Sequence, residues 1–530
     1  EPMLPSISPH AAPLFPFARA LVFLASFCLM TIEIVAGRVT APYLGVSLYT
    51  WTSVIGAVLL GVTMGNYGGG WLADHGASRR TLGLSFAGAG LVTLFAPALA
   101  RVFGPLLASS QWPLWLSSSV FALIVFFPAA FFLSTITPQV VKNHLRRLEE
   151  SGMTVGVIGA WSAFGSIVGT FASGFLFIAF IGTKLLLEMI ALTLLAIGIG
   201  VAWHDRMWKR RLTVFIAFML LGELLYPSMC RMETAYYCLR TAQVVQAEGV
   251  TSTALYLDHL IHSYVTPGKP EAIGYRYEYL QAGALAYRFN TETPFSVLTI
   301  GGGGYSVPRY VASVYPRANV EVVEIDPGVT EFNHQALALP RDTRIRSFHQ
   351  DARLFLQTLD PRVTYDVIYG DAVNDLAVPY QLTTQEFLTI LKRHLSPGGI
   401  YALTVIDDPR HGDFLAAMIR TLQSRFTHVY VFPLGSNLFQ DTGRNTFELF
   451  AMDEELDEAR WQEALPIFSH PRDALSVDLW RDIATHLSSS DLEAFLHKHP
   501  NPVLTDYYAP VDAYLAPVFD EAYNAPRVRR

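Results

Sequence analysis

The sequence predicts a multi-span α-helical membrane domain followed by an α/β domain, the latter a small antiparallel β-sheet joined to a doubly wound sheet. Three observations predict it. The excess hydrophobicity of the 530 residues sits in the first 230, and the rest has an ordinary soluble composition. A run of β-branched and leucine residues, Val297-Leu-Thr-Ile300, enters four glycines at Gly301–Gly304, and a second apolar run ends in Glu324 and Asp326. Beyond it, helical and extended segments alternate, as in a mainly parallel sheet whose ligands lie at the strand C-termini.

Seven apolar runs are long enough to cross about 30 Å of hydrocarbon. They fall near 17–37, 48–72, 81–104, 113–137, 153–181, 184–203 and 212–229. The first is read as a span and not a cleaved leader, because further spans follow and no small-residue cleavage site is evident. Glycines crowd two runs, among them Gly61, Gly65 and Gly69 in one and Gly165 and Gly169 in another, which lets helix backbones approach closely in lipid. With Trp51 and Trp161 near their starts, these runs read as a weak internal repeat of helix pairs or as independent packing seams. Charges inside spans are functional candidates, since a buried charge is costly unless paired. Glu33 with Arg38 reads as an ion pair, and Glu188 and Glu223 lie in later spans.

Basic residues gather in three connections: Arg79 and Arg80; Lys142, Arg146 and Arg147; and Arg206, Lys209, Arg210 and Arg211. The positive-inside rule puts these in the cytoplasm. With all seven runs spanning, the soluble half then lies outside the cytoplasm, a conclusion that turns on the short last run with Glu223. The expected location is integral to a bacterial inner (plasma) membrane.

A net charge of −7 and the absence of a basic stripe argue against nucleic-acid binding. Cys28, Cys230 and Cys238 have no metal-ligand spacing, so no metal is expected. Cys230 and Cys238 could meet if the segment folded back, but they are read as free thiols.

In the soluble half, Cys238–Ala247, Ala254–Leu257 and His259–Val265 alternate as strands of a small sheet, and Tyr275–Tyr287 has helical spacing. The glycine stretch follows as strand, tight turn and helix (Val307–Tyr315). Glycines there let a backbone approach a ligand, and the helix N-terminus offers free N–H groups beside it. Glu324, about 20 residues on, is placed to chelate ribose hydroxyls. Further strands end near Asp351 and at Asp371. A single carboxylate at a strand end is often only a helix cap. Several around a glycine turn point to a nucleoside held by its hydroxyls and its amino group, in a negative pocket suited to a sulfonium or a polyamine.

These residues resemble the spermidine synthase family, and more closely its membrane-fused relatives, over roughly Glu233 to Leu449. The resemblance rests on Leu257-Asp-His-Leu-Ile-His262, Ile300-Gly-Gly-Gly303, Val323-Glu-Ile-Asp326, Gln350-Asp-Ala352, Tyr365-Asp-Val-Ile-Tyr-Gly-Asp371, Leu395-Ser-Pro-Gly-Gly-Ile400 and Phe432-Pro-Leu-Gly-Ser-Asn437. It implies a Rossmann-like sheet of the S-adenosylmethionine-dependent transferase type and decarboxylated S-adenosylmethionine (or S-adenosylmethionine) as cofactor. Glu324 would hold the ribose and Asp351 the adenine, with Gly301, Gly302, Gly303, Asp326 and His262 also at the cofactor. Asp371 would accept the proton of the attacking amine, with Asp375 behind it. Asn374, Tyr277, Glu278 and Phe432 would face the acceptor.

The sequence departs from that pattern on the amine side. Gly304 stands where the synthases usually carry aspartate, Asn374 where they have a second acid, and Phe432 where they have tyrosine. Tyr277-Glu278 meets their Tyr-x-Glu motif only loosely. Three readings follow: an aminopropyltransferase acting on an amine; a methyltransferase, because nothing at Gly304 selects the decarboxylated cofactor; and a non-catalytic ligand-binding or scaffold domain on a transporter-like membrane half.

The domain boundaries read as 1–230 (transmembrane), 231–290 (small β-domain and linking helix), 291–452 (nucleoside-binding) and 453–530 (helical extension). In the extension, Trp461 and Trp480 are expected packing anchors. The expected partners are the lipid bilayer, a small amine or polyamine and, as an assembly, a homo-oligomer.

Overall fold

The computed structural model describes residues 17–76, 78–110, 112–145, 151–202, 214, 217, 229–245, 251–372, 378–434, 443–464, 480 and 482–524. It divides into a helical unit ending at Met229 and an α/β unit beginning at Cys230.

The helical unit begins with three long apolar helices, α1 (Ala18–Leu44), α2 (Leu48–Asp74) and α3 (Arg79–Ala108). Next, α4 (Leu114–Val125) is followed by α5 (Phe127–Ser134) and α6 (Ile136–His144), bent by 46° where Phe126 interrupts the ladder and Pro128 opens the next turn. Then come α7 (Ser151–Ala172), extended by a π-helical turn at Ser173–Phe177, and α8 (Thr183–Ala202). Five of these helices are long and apolar enough to cross a membrane, or six if the bent pair is one span. Six of the expected runs therefore coincide with helices. The seventh, with Glu223, lies almost wholly outside the described residues, as do Arg146, Arg147 and Arg206–Arg211.

Glycine brings these apolar helices into close contact, the kind of packing that small residues allow. A Cβ on Gly65 would stand 2.3 Å from the Phe131 carbonyl oxygen, and one on Gly165 2.2 Å from that of Phe23. Glycine thus sets the α2–α5 and α7–α1 contacts. Glu188 is paired with Lys184 one turn earlier at 3.4 Å, which accounts for a charge inside α8. Lys142 on α6 reaches Asp74 at the end of α2, at 2.8 Å, so these two helix ends share one face of the bundle.

The α/β unit opens with a four-stranded antiparallel sheet, β1 (Met232–Glu233), β2 (Cys238–Val245), β3 (Thr251–Leu257) and β4 (Leu260–Val265), and α9 (Arg276–Arg288) leads out of it. Cys230 and Cys238 form a disulfide, which corrects the expectation of free thiols. β1 folds back so that Glu233 lies opposite Cys238, and the two cysteine Cα atoms come to 5.1 Å, within bridging reach. A strand of two residues has no periodicity to read, which is why the fold-back was not legible.

The main sheet comprises β5 (Ser296–Ile300), β6 (Asn319–Glu324), β7 (Arg346–His349), β8 (Tyr365–Gly370), β9 (Leu395–Asp407), β10 (His428–Pro433) and β11 (Asn445–Met452). Its spatial order is β10-β11-β9-β8-β5-β6-β7. The five strands from β9 to β7 are parallel, while β11 pairs antiparallel with β9 and with β10. Helices α10 (Ser306–Val314), α11 (Pro327–Ala336), α12 (Ala352–Thr358), α13 (Gln385–Arg393) and α14 (Asp413–Gln423) accompany the sheet. The apolar β5 is buried, as a parallel central strand covered on both faces must be. Trp461 and Trp480 are fully buried and pack together at a ring separation of 5.4 Å. In the extension, Asp506 clamps Arg353 of α12 and accepts a bond from Thr384, the N-cap of α13, at 2.7 Å.

Candidate active site

The chain order reverses at β5: β6 and β7 lie on one side of it, and β8, β9 and β11 on the other. A doubly wound sheet opens a crevice at such a switch point, and a cavity lies there. The turn leaving β5 needs glycine. Gly301 and Gly303 have φ of +98° and +47°, and a Cβ on Gly301 would lie 2.3 Å from the Asp371 carbonyl oxygen. Tyr305 closes the turn in the left-handed region, its hydroxyl fixed to Thr330 and Ser347 at 2.7 and 3.0 Å.

Glu324 ends β6 with its carboxylate turned toward the glycine bend. The N–H of Gly302 donates to Oε2 at 2.7 Å and that of Asp326 to Oε1 at 2.9 Å. Among the described residues it has no basic hydrogen-bond or ion-pair partner. Burial raises its pKa, while those backbone bonds oppose the rise. Each oxygen keeps lone-pair capacity for a hydroxyl in the cavity that Glu324 lines.

On the far side of β5, Asp371 follows β8 and receives the Tyr277 hydroxyl at 2.9 Å. Burial pushes its pKa up to about 6, against the lowering effect of that bond. It is therefore ionised at neutral pH yet close enough to its pKa to exchange a proton. Glu278 is buried and its pKa is pushed up to about 7, mainly by burial. It accepts the N–H groups of Gly274 and Tyr275 at 2.8 and 2.9 Å, closing the N-terminus of α9 as a capping box does.

Two buried polar atoms of residues that line this cavity, His262 Nε2 and Thr299 Oγ1, have no partner among the described residues. Burial pushes the His262 pKa down to about 4, with a smaller contribution from Arg444, so at neutral pH the imidazole is uncharged. Unpaired buried polar atoms are costly, and a polar ligand in the cavity would satisfy them. The residues present thus fit a nucleoside: a glycine cradle, a carboxylate at its rim, and unpartnered polar side chains in its lining.

Residues 286–432 match the spermine/spermidine synthase domain. Over that segment the chain is similar to the spermine/spermidine synthase family. Among relatives, a Bifidobacterium longum protein named as a probable polyamine aminopropyl transferase is 33% identical over 175 residues, covering 32% of this chain and 36% of that one. The polyamine aminopropyltransferase of Vibrio vulnificus is 30% identical over 151 residues, covering 28% and 50%. The eEF1A lysine and N-terminal methyltransferase of Bos taurus is 29% identical over 124 residues, covering 22% and 18%. The chain therefore spans half or less of the length of these relatives.

The structure brings Gly301, Gly302, Gly303, Glu324, Asp351, His262, Asp371 and, from α9, Glu278 to one cavity. Asp351 also caps α12 by accepting the Leu354 N–H at 2.9 Å. Asp326 is not at the cavity: it caps α11 through the Gly328 N–H at 2.8 Å and binds the Thr234 hydroxyl. Tyr277 donates to Asp371 and does not line the cavity itself.

Phe432, expected at the acceptor, is instead in the core. It is fully buried against Phe450 and Trp461 at ring separations of 4.9 and 5.4 Å, because β10 is an edge strand whose Phe432 packs with the aromatic residues of β11 and the C-terminal extension and does not line the cavity. Asn374 and Asp375 lie outside the described residues.

Sequence reasoning missed Gln281 and Glu448. Gln281 lines the cavity, and its side-chain N–H groups reach Glu448 at 3.1 Å and Thr404 at 3.2 Å. A glutamate inside the apolar run Phe447–Met452 was the available signal.

Proposed function

We propose that this chain is a membrane-anchored aminopropyltransferase of the spermidine synthase type, moving an aminopropyl group from decarboxylated S-adenosylmethionine to a small amine. The observation that carries it is the pairing of two carboxylates across β5, Glu324 by the glycine bend and Asp371 beyond it, on one cavity. Glu324 holds the sugar hydroxyls, Asp351 faces the base, and the neutral His262 adds a hydrogen-bonding nitrogen without repelling a sulfonium.

Asp371 draws in the acceptor as an ammonium and takes one proton from it. The freed nitrogen lone pair forms a C–N bond to the carbon bound to sulfur, the C–S bond breaks, and a neutral thioether nucleoside leaves. An alkylammonium with a pKa of about 10.4 gives up that proton poorly in water. A carboxylate held in a partly dry site by Tyr277 is what this chain contributes, with positioning for in-line attack.

The test is calorimetry of the purified full chain with each sulfonium nucleoside, followed by product analysis with an amine panel. Nucleoside binding with aminopropyl transfer supports the reading, and Asp371→Asn should then abolish transfer while sparing binding. Methyl transfer from S-adenosylmethionine would replace it with the methyltransferase reading.

One observation favours a second reading. Disulfides persist in oxidising compartments, and the Cys230–Cys238 bond agrees with the charge pattern that puts the soluble half outside the cytoplasm. There the domain would bind a nucleoside-like ligand without turnover. A reporter fused after Arg530 distinguishes the two, since a cytoplasmic signal removes this second reading.

A further inference from the structure

Resting on the transferase reading, we infer that Gln281 reads the far end of the acceptor amine, and that Glu448 and Thr404 hold it in place to do so. The inference begins with the sheet order. Glu324 and Asp351 follow β6 and β7, whereas Gln281 leans on Thr404 of β9 and Glu448 of β11, beyond Asp371 on the other side of β5. The cavity that Gln281 and Asp371 both line thus has a nucleoside side and an acceptor side. Gln281 belongs to the second.

Its amide can make only a few bonds, and most are assigned. Both side-chain N–H bonds are directed into the wall, to Glu448 Oε1 at 3.1 Å and Thr404 Oγ1 at 3.2 Å. The Thr404 hydroxyl donates in turn to Glu448 Oε2 at 2.9 Å, which closes the ring of three. The Gln281 backbone carbonyl accepts the Tyr369 hydroxyl at 2.8 Å, fixing the helix at this point. The side-chain carbonyl oxygen has no partner among the described residues, and it is the atom left for the cavity.

Glu448 is fully buried and bonded to neutral groups, without a cationic partner among the described residues. Such a carboxyl is expensive to bury. Its return here is orientation: it prevents the Gln281 amide from turning its N–H groups inward, where they would oppose an ammonium. The acceptor this wall fits is a small amine with a second hydrogen-bond donor, amine or hydroxyl, at its far end. Asp371 takes the reacting nitrogen and Gln281 the distal donor. A site built to bond such a group rejects the analogue lacking it.

The experiment uses the full chain in detergent and compares kcat/KM for diaminoalkanes with that for alkylamines of equal length. The wild type should prefer the diamine. Gln281→Met, of similar volume but without the carbonyl, should reduce that preference about tenfold or more, chiefly through KM, with nucleoside Kd unchanged as the control for folding. Glu448→Ala should move it the same way, and Glu448→Gln should restore it, a rescue that mere loss of packing would not produce. An unchanged preference in Gln281→Met that still binds nucleoside overturns the inference and leaves the transferase reading intact. A wild type that transfers to no amine overturns both.

Discussion

Ser263 and Gly304 share one space. The Gly304 N–H donates to the Ser263 hydroxyl at 2.8 Å, and a Cβ on residue 304 would stand 2.5 Å from the Ser263 Cβ and 2.9 Å from Val265 Cγ2. The aspartate that the synthase pattern would put there has no room, so its absence is built into β4 and is not a simple loss.

Gly304→Asp should therefore fail to improve binding of the decarboxylated nucleoside. It should also destabilise the domain by about 1–3 kcal/mol through overpacking. Thermal unfolding in detergent checks this, and adding Ser263→Gly should recover part of the loss.

Glu324→Gln should weaken nucleoside binding about tenfold or more. The amide keeps one acceptor oxygen but aims an NH2 at one of the two backbone N–H groups that now converge on the carboxylate. An unmatched buried donor costs about 1–3 kcal/mol. Asp326→Asn, whose side chain is spent on Thr234 and the α11 cap, should change affinity much less. Calorimetry with the nucleoside compares the two.

The same contrast explains how much of the site was legible. The glycine bend and Glu324 could be read because a backbone that must bend at positive φ leaves a local trace, and its acid follows at a fixed remove. Asp326 and Asp351 were ambiguous for a physical reason, since a carboxylate after a strand also caps the next helix, and both do. Gln281 and Glu448 are separated by 167 positions and meet only because β11 pairs antiparallel beside β9. No local pattern announces that contact. Phe432 misled because a motif fixes a position along the chain and not which part of the sheet it packs in.

The buried carboxyls predict a pH dependence of opposite sign for stability and activity. Burial pushes Asp371 to about 6, Glu278 to about 7 and Glu448 well above the ordinary carboxylate range. Folding therefore favours their protonated forms. That contribution is complete below the unfolded value of about 4 and is lost as pH rises through 6 to 7. Thermal stability should fall across this window as Asp371 and Glu278 ionise, less steeply in Glu278→Gln. Transfer should rise over the same window as Asp371 ionises. Tyr277→Phe, which removes the bond that lowers the Asp371 pKa, should move the activity limb to higher pH.

The disulfide links the small sheet to the nucleoside side of the cavity. Between the bridged cysteines, Thr234 binds Asp326, packs where a Cβ on Gly328 would clash at 2.2 Å, and anchors the N–H of Tyr237 at 2.9 Å. Tyr237 itself lines the cavity. Opening the bridge removes a loop closure worth about 2–3 kcal/mol for so short a segment, and it frees the two residues that set this wall. Cys230→Ser, or treatment with a dithiol, should lower the midpoint of thermal unfolding and weaken nucleoside binding severalfold, while leaving the Gln281 side of the cavity unaltered. Thiol counting by mass spectrometry, paired with calorimetry before and after reduction, checks both effects. Full nucleoside affinity in the reduced protein would mean that Thr234 and Tyr237 hold their places without the bridge.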